Sequence, residues 1–133
     1  TMIGDAVSLA ARLEGLNKMF GTRILVSEDV ENRLNGEFHT RKLGSFRVKG
    51  RKEPTAVFEL VGPVAEIENP KWSEVYGKGV AALENDDFEK ARQFFKEVDG
   101  MRGSGGDGPS KFFLHLLERG EPIRQGVYDM MEK

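Results

Sequence analysis

Ser8 and Arg12 stand one helical turn apart, shortly after a Gly4-Asp5 pair. A hydroxyl and a guanidinium stacked on one helix face suit an anionic ligand such as a phosphate, above all near a helix N-terminus. Gly4 permits a tight turn and Asp5 is a good N-cap, so Thr1-Met2-Ile3 reads as the end of an apolar strand feeding that helix. Val7, Ala10 and Ala11, with Glu14, share a second face. The same spacing also describes an amphipathic helix with one arginine in solvent, and periodicity alone favours that plainer reading. A second group, Arg47, Lys49, Arg51 and Lys52, makes a short basic stretch. It is weak evidence for nucleic acid in a chain of net charge -2.

The elements that would position these residues follow from the local patterns. Asp5 to Met19 reads as the first helix, and Thr22 to Val26 as a short strand. Ser27 caps a second, short helix with Glu28 and Asp29 in its first turn. Asn35-Gly36 marks a turn, Phe38 to Val48 is strand or hairpin material, and Thr55 to Val61 is another strand. Pro63 to Pro70 looks like a linker. Beyond it Trp72, Tyr76, Gly79 and Ala82-Leu83 suit one helix, and Phe88, Ala91 and Phe94-Phe95 a second, with Asn85-Asp86-Asp87 between them. This resembles one tetratricopeptide (TPR) repeat or a plain αα-hairpin; either must bury its apolar face on something else. Met101 to Gly108 reads as a flexible glycine-rich break, and Asp107-Gly108-Pro109-Ser110 starts a third helix.

Composition removes several classes of function. The chain has 133 residues and no cysteine, hence no disulfide framework, thiol nucleophile or cysteine-based zinc site. Residues 1–62 carry ten Lys/Arg against eight Asp/Glu, and residues 63–133 carry ten against fourteen, so neither part names a partner by charge. No apolar run is long enough for a bilayer span, and no secretory signal is visible. The expected setting is cytoplasmic, with room for a membrane anchor upstream in a longer parent. The chain starts without Met on a strand-like edge and reads as a C-terminal part of such a parent. Gly103-Ser104-Gly105-Gly106-Asp107-Gly108 spells G-x-G-x-x-G, but no strand precedes it, and His39 and His115 lack metal-ligand spacing.

The opening string Thr1-Met2-Ile3-Gly4-Asp5-Ala6-Val7-Ser8-Leu9-Ala10-Ala11-Arg12-Leu13-Glu14 closely resembles the T-x-I-G-D-x-V-N-x-A-A-R-L-E signature of class III adenylate/guanylate cyclases. The likeness continues through Gly21-Thr22-Arg23-Ile24-Leu25-Val26-Ser27, Val48-Lys49-Gly50-Arg51-Lys52-Glu53-Pro54 and Val57-Phe58-Glu59-Leu60. The resemblance implies an α+β fold. Residues 1–62 would be the C-terminal part of a ferredoxin-like nucleotide cyclase domain, residues 63–71 a linker, and residues 72–133 a small all-α TPR-like tail. Such a tail follows the cyclase domain in many bacterial adenylate cyclases.

The implied activity is conversion of ATP to cyclic AMP and pyrophosphate in intracellular signal transduction. By the family pattern Thr1 reads adenine, Arg12 stabilises the transition state, and Lys49 contacts the triphosphate as a point charge. Ser8 departs from the family's Asn, which positions the ribose. The shorter side chain would lose or lengthen that contact, at a cost on the order of 10- to 100-fold in rate. The Mg²⁺ or Mn²⁺ ligands, two aspartates, lie upstream of the matched string, so residues 1–133 alone are expected to be inactive. Head-to-tail homodimerisation and an upstream sensor domain are also implied, with no nucleic-acid partner and no membrane segment in these residues. The rival expectation is a catalytically degenerate, cyclase-like and TPR-like module that binds protein.

Overall fold

The computed structural model describes residues 15, 17, 20, 22, 24–47 and 52–129. Gly15, Asn17 and Phe20 have helical backbone, one residue beyond the expected end of the first helix. Strand β1 (Leu25–Ser27) leads directly into helix α1 (Glu28–Arg33), because Ser27 both ends the strand and accepts a hydrogen bond from Val30 N–H at 3.4 Å. The strand starts later than the expected Thr22. Thr22 instead closes back on the preceding turn, its N–H donating to the Asn17 carbonyl (3.1 Å) and its hydroxyl to Asn17 Oδ1 (2.8 Å). Asn35 and Gly36, both at positive φ, then turn the chain into β2 (Phe38–Arg47). Strand β3 (Thr55–Pro63) returns antiparallel to β2, with irregular register at His39/Thr40 and Lys42/Gly44.

Three helices follow: α2 (Lys71–Glu84), α3 (Phe88–Met101) and α4 (Gly108–Arg119). Their starts and stops have identifiable causes. Asp87 and Asp107 cap α3 and α4 through their side chains, Pro109 occupies the first turn of α4, and Gly120 ends it in the left-handed region. The apolar faces repeat at helical spacing, as in Tyr76, Val80 and Leu83 on α2 and Ala91, Phe95 and Val98 on α3, all buried. At Gly79 a β-carbon would lie 2.6 Å from Phe95 Cε1, so the missing side chain is what lets α3 sit close against α2. Tyr76 reaches the sheet, its hydroxyl donating to the Leu43 carbonyl at 2.8 Å.

The chain then returns to the sheet. Strand β4 (Ile123–Arg124) and strand β5 (Val127–Asp129) form a tight hairpin through Gln125-Gly126, and β5 pairs in parallel with the end of β2. Among the described residues the result is α+β, a five-stranded mixed sheet of order β1-β3-β2-β5-β4 with four helices. One buried cluster runs from Phe20, Leu25, Leu43, Phe46 and Val57 into the helices through Phe95, Phe113 and Ile123. The expected all-α tail over residues 72–133 is thus corrected: Ile123–Arg124 and Val127–Asp129 are strands, unsignalled in sequence because the pairing partner of β5, β2, lies far upstream. None of the described helices is long and apolar enough to cross a membrane.

Candidate functional site

Thr1, Ser8, Arg12 and Lys49 all lie outside the described residues. Phe20 and Phe46, described residues that respectively follow Arg12 and precede Lys49 in the chain, meet in an aromatic group. Phe20, from the segment after Arg12, stands edge-on to Phe112 with centroids 4.9 Å apart and tilts against Phe46 at 5.7 Å. Phe46, from the strand before Lys49, stacks on Phe113 at 6.1 Å. Gly108 permits the approach of α4, since a β-carbon there would collide with the Phe20 carbonyl oxygen.

Beside this group is a buried polar cluster that sequence reading missed. Arg41 donates through Nη2 to Asp107 Oδ1 (2.7 Å), through Nη1 to Asp107 Oδ2 (3.0 Å) and through Nε to Glu59 Oε1 (2.6 Å). Its guanidinium lies over the rings of Trp72 (4.8 Å) and Tyr76 (4.6 Å), and Arg102 covers Trp72 at 3.9 Å. Asp107 also accepts from Arg102 Nη1 (3.1 Å), Ser110 N–H (3.1 Å) and the Ser110 hydroxyl (2.6 Å). Its own N–H donates to Asp99 Oδ1 at 2.7 Å. The glycine-rich segment expected to be a flexible break is therefore fixed at Asp107, by Asp99 and Arg41.

The electrostatics follow from these contacts. Burial opposes ionisation of Asp107, but the hydrogen bonds and charge of Arg41 and the bonds from Ser110 outweigh it and lower the carboxyl pKa. Burial likewise opposes the charge on Arg41, and Asp107 and Glu59 outweigh it, raising the guanidinium pKa. Burial pushes the Tyr76 phenol well above its ordinary value, so it stays a neutral donor.

A cavity of about 290 Å³ borders the cluster, lined by Thr22, Arg41, Glu59, Trp72, Arg102 and Asp107 among others. Its charges cancel in pairs, and the five donors on Asp107 leave no free lone pair for a proton or a metal ion. Among the described residues no group of three or more His, Asp or Glu is arranged to hold a metal. The described acidic cluster thus does not fit the implied Mg²⁺ or Mn²⁺, because guanidinium groups already occupy its oxygens. What the cluster can do is hold α4 against β2. Arg41 stands in β2 beside other cations, Lys42 and Arg47, so local pattern neither singled it out nor gave its partner.

Comparison with known proteins supplies the functional context. The chain is 39% identical over 67 residues to adenylate cyclase 1 of Rhizobium meliloti (strain 1021), covering 50% of this chain and 10% of that protein. It is 41% identical over 63 residues to an adenylate cyclase of Anabaena cylindrica, covering 45% of this chain and 12% of that protein. A 28% identical match over 102 residues, to the terminal-differentiation-specific adenylate cyclase of Dictyostelium discoideum, covers 72% of this chain and 5% of that protein. That last match is long enough to take in residues from both the front of the chain and its helical part. About half of the chain is thus related to adenylate cyclases, and it spans about a tenth of the length of the curated relatives it matches. No family model and no solved structure matches the chain.

Proposed function

We propose that the chain forms the phosphate-binding, C-terminal part of an adenylate cyclase that converts ATP to cyclic AMP and pyrophosphate. The observation that carries this is the 39–41% identity to adenylate cyclases over about half the chain, joined to an opening motif that keeps Thr1 and Arg12 at family positions and departs at Ser8. In this reading residues 1–62 complete a ferredoxin-like cyclase domain, the helices between Lys71 and Arg119 are a TPR-like addition, and β4 and β5 return the chain to the sheet.

The ribose 3′-oxygen attacks the α-phosphorus, a new P–O bond forms, and the bond to the bridging oxygen of pyrophosphate breaks. The 3′-hydroxyl proton leaves to solvent. Arg12 meets the charge that builds on the phosphoryl oxygens with a planar fork of donors. Lys49 holds the triphosphate, and its neighbours Arg51 and Lys52 raise the local potential for the same anion. Thr1 selects adenine. Ser8 faces the ribose with one short hydroxyl where an amide is usual, which makes for slow turnover. The metal ligands come from residues other than these 133, and the site is shared across a head-to-tail homodimer, with an upstream sensor domain setting its activity.

Ser8 also favours a second reading, a degenerate cyclase-like module that binds protein without turning over nucleotide. One assay separates the two. The natural protein that carries these residues is incubated with ATP or GTP and with Mg²⁺ or Mn²⁺, beside its Arg12→Ala variant. Cyclic AMP that is lost in the variant supports the enzyme; no product from a folded wild-type dimer supports the binding module.

A further inference from the structure

A second cavity, of about 530 Å³, shares no lining residue with the one beside Arg41. It opens where the start of α3, the end of α4 and strand β4 meet. Phe88, Leu117, Pro122 and Ile123 give it an apolar wall. Ile123 belongs to the core at 3% exposure, whereas Phe88, the first residue of α3, is 39% exposed. Phe88 continues the buried face of Ala91, Phe95 and Val98 at helical spacing. The apolar layer between the helices therefore runs out into this cavity and meets solvent there.

The charges around that wall are unequally engaged. Asp86 and Glu121 supply the acids and Arg92 and Arg124 the bases, so the formal sum is zero. Both acids have partners: Asp86 Oδ1 accepts from Gln125 N–H at 2.9 Å, and Glu121 lies 3.6 Å from Arg119. Arg92, one turn beyond Phe88, donates to Glu89 at 3.1 Å, a pair whose acid is 68% exposed and whose bond is easily exchanged. Arg124 makes no ion pair among the described residues. The charge left to meet a ligand is thus positive.

We propose that this cavity binds a small amphiphilic anion, a carboxylate with an apolar body. The body lies on Phe88 and Leu117, and the carboxylate meets Arg124, with Arg92 lining the same space. Size and charge select this class. A cavity of about 530 Å³ falls within the range of small-molecule sites, which pair apolar walls with a few polar groups. An amphiphilic cation would instead meet Arg124, with both acids already engaged. Because α3, α4 and β4 all line the cavity, occupancy stabilises the junction between helices and sheet by mass action. The site is independent of whether the chain turns over ATP.

The test is calorimetric titration of the natural protein with decanoate, decanol and decylamine, each kept below its aggregation limit. Decanoate is expected to bind at one saturable site, more tightly than decanol and far more tightly than decylamine, and to raise the melting temperature. Arg124→Gln, a change at an exposed position, should weaken decanoate about three- to ten-fold and leave decanol and the ligand-free melting temperature unchanged. Arg124→Lys should keep most of the affinity, and Phe88→Ala should weaken decanoate and decanol alike. No saturable binding of decanoate overturns the proposal, as does equal affinity for decanoate and decylamine. Unchanged decanoate binding in both Arg124→Gln and Phe88→Ala places the ligand elsewhere and overturns it too. A short acidic, leucine-containing peptide that binds where decanoate does not would make the cavity a protein-docking groove and overturn the small-molecule assignment.

Discussion

The Arg41 guanidinium and the Asp107 carboxylate, 66 residues apart in sequence, form a two-pronged ion pair at 2.7 and 3.0 Å with both side chains withdrawn from solvent. The pair joins the middle of β2 to the N-terminus of α4, where Asp107 is also the helix cap. One carboxylate thereby serves as cap, as counter-ion and as anchor between sheet and helices. Such a pair is expensive to break, because whichever partner remains is left charged and buried.

Asp107→Asn should therefore destabilise the protein by about 3–5 kcal/mol, read from the midpoint of urea unfolding at unchanged slope. The exposed pair between Lys42 and Glu84, 3.0 Å apart, is the contrast. Lys42→Ala should cost no more than about 1 kcal/mol in the same experiment. Equal effects from the two variants would mean that the Arg41–Asp107 pair contributes no more than a surface contact.

The pair also sets an acid limit. Asp107 has a folded pKa below its ordinary 3.8, so its contribution is fully present above that value. It is lost as the pH falls through the lower, folded value. As the pH falls below about 4, wild type should lose stability more steeply than Asp107→Asn. Thermal unfolding across that range measures it, and parallel curves would refute the assignment.

Two glycines on α2, separated by Lys78, should answer alanine in opposite directions. At Gly77 a β-carbon would have nothing within 4 Å, whereas at Gly79 it would press on Phe95 at 2.6 Å. Gly77→Ala should stabilise by about 0.5–1 kcal/mol, through helix propensity alone. Gly79→Ala should destabilise by about 1–3 kcal/mol, because the Phe95 ring has no room to retreat in a packed core. The two melting temperatures, compared with wild type, decide it.

For the proposed activity, Ser8→Asn should restore the ribose contact and raise kcat by on the order of 10-fold, with a smaller change in KM for ATP. Steady-state cyclic AMP production measures it. A rate that does not rise would mean that Ser8 already positions the ribose or that nothing at this position does.

The helical part was largely legible because its signals are local. Asp87 and Asp107 stand where caps belong, and Tyr76, Val80 and Leu83 repeat at the helical period. The strands around Phe38 and Thr55 were legible for the same reason, from β-branched and aromatic runs bounded by Gly and Pro. What escaped was non-local. Arg41 looked like one more strand cation, and only folding brings Asp107 to it. Val127-Tyr128-Asp129 is too short to announce a strand and becomes one because β2 offers an edge. The glycine-rich stretch before α4 looked slack because the bonds that fix Asp107 come from Asp99 of α3 and Arg41 of β2, on different elements. The site was legible only as a motif, in Thr1, Ser8, Arg12 and Lys49, none of which is among the described residues.

The parallel pairing of β2 with β5 has a consequence for biosynthesis. Arg47 and Asp129 are 82 residues apart, so a ribosome adding about 5–20 residues per second leaves β2 without this neighbour for roughly 4–16 s. During that interval one side of β2 is an open edge, beside the still unsheltered Phe46. Nascent chains are thus most exposed to joining one another just before Val127 emerges, and the pairing of β5 ends the risk at this edge.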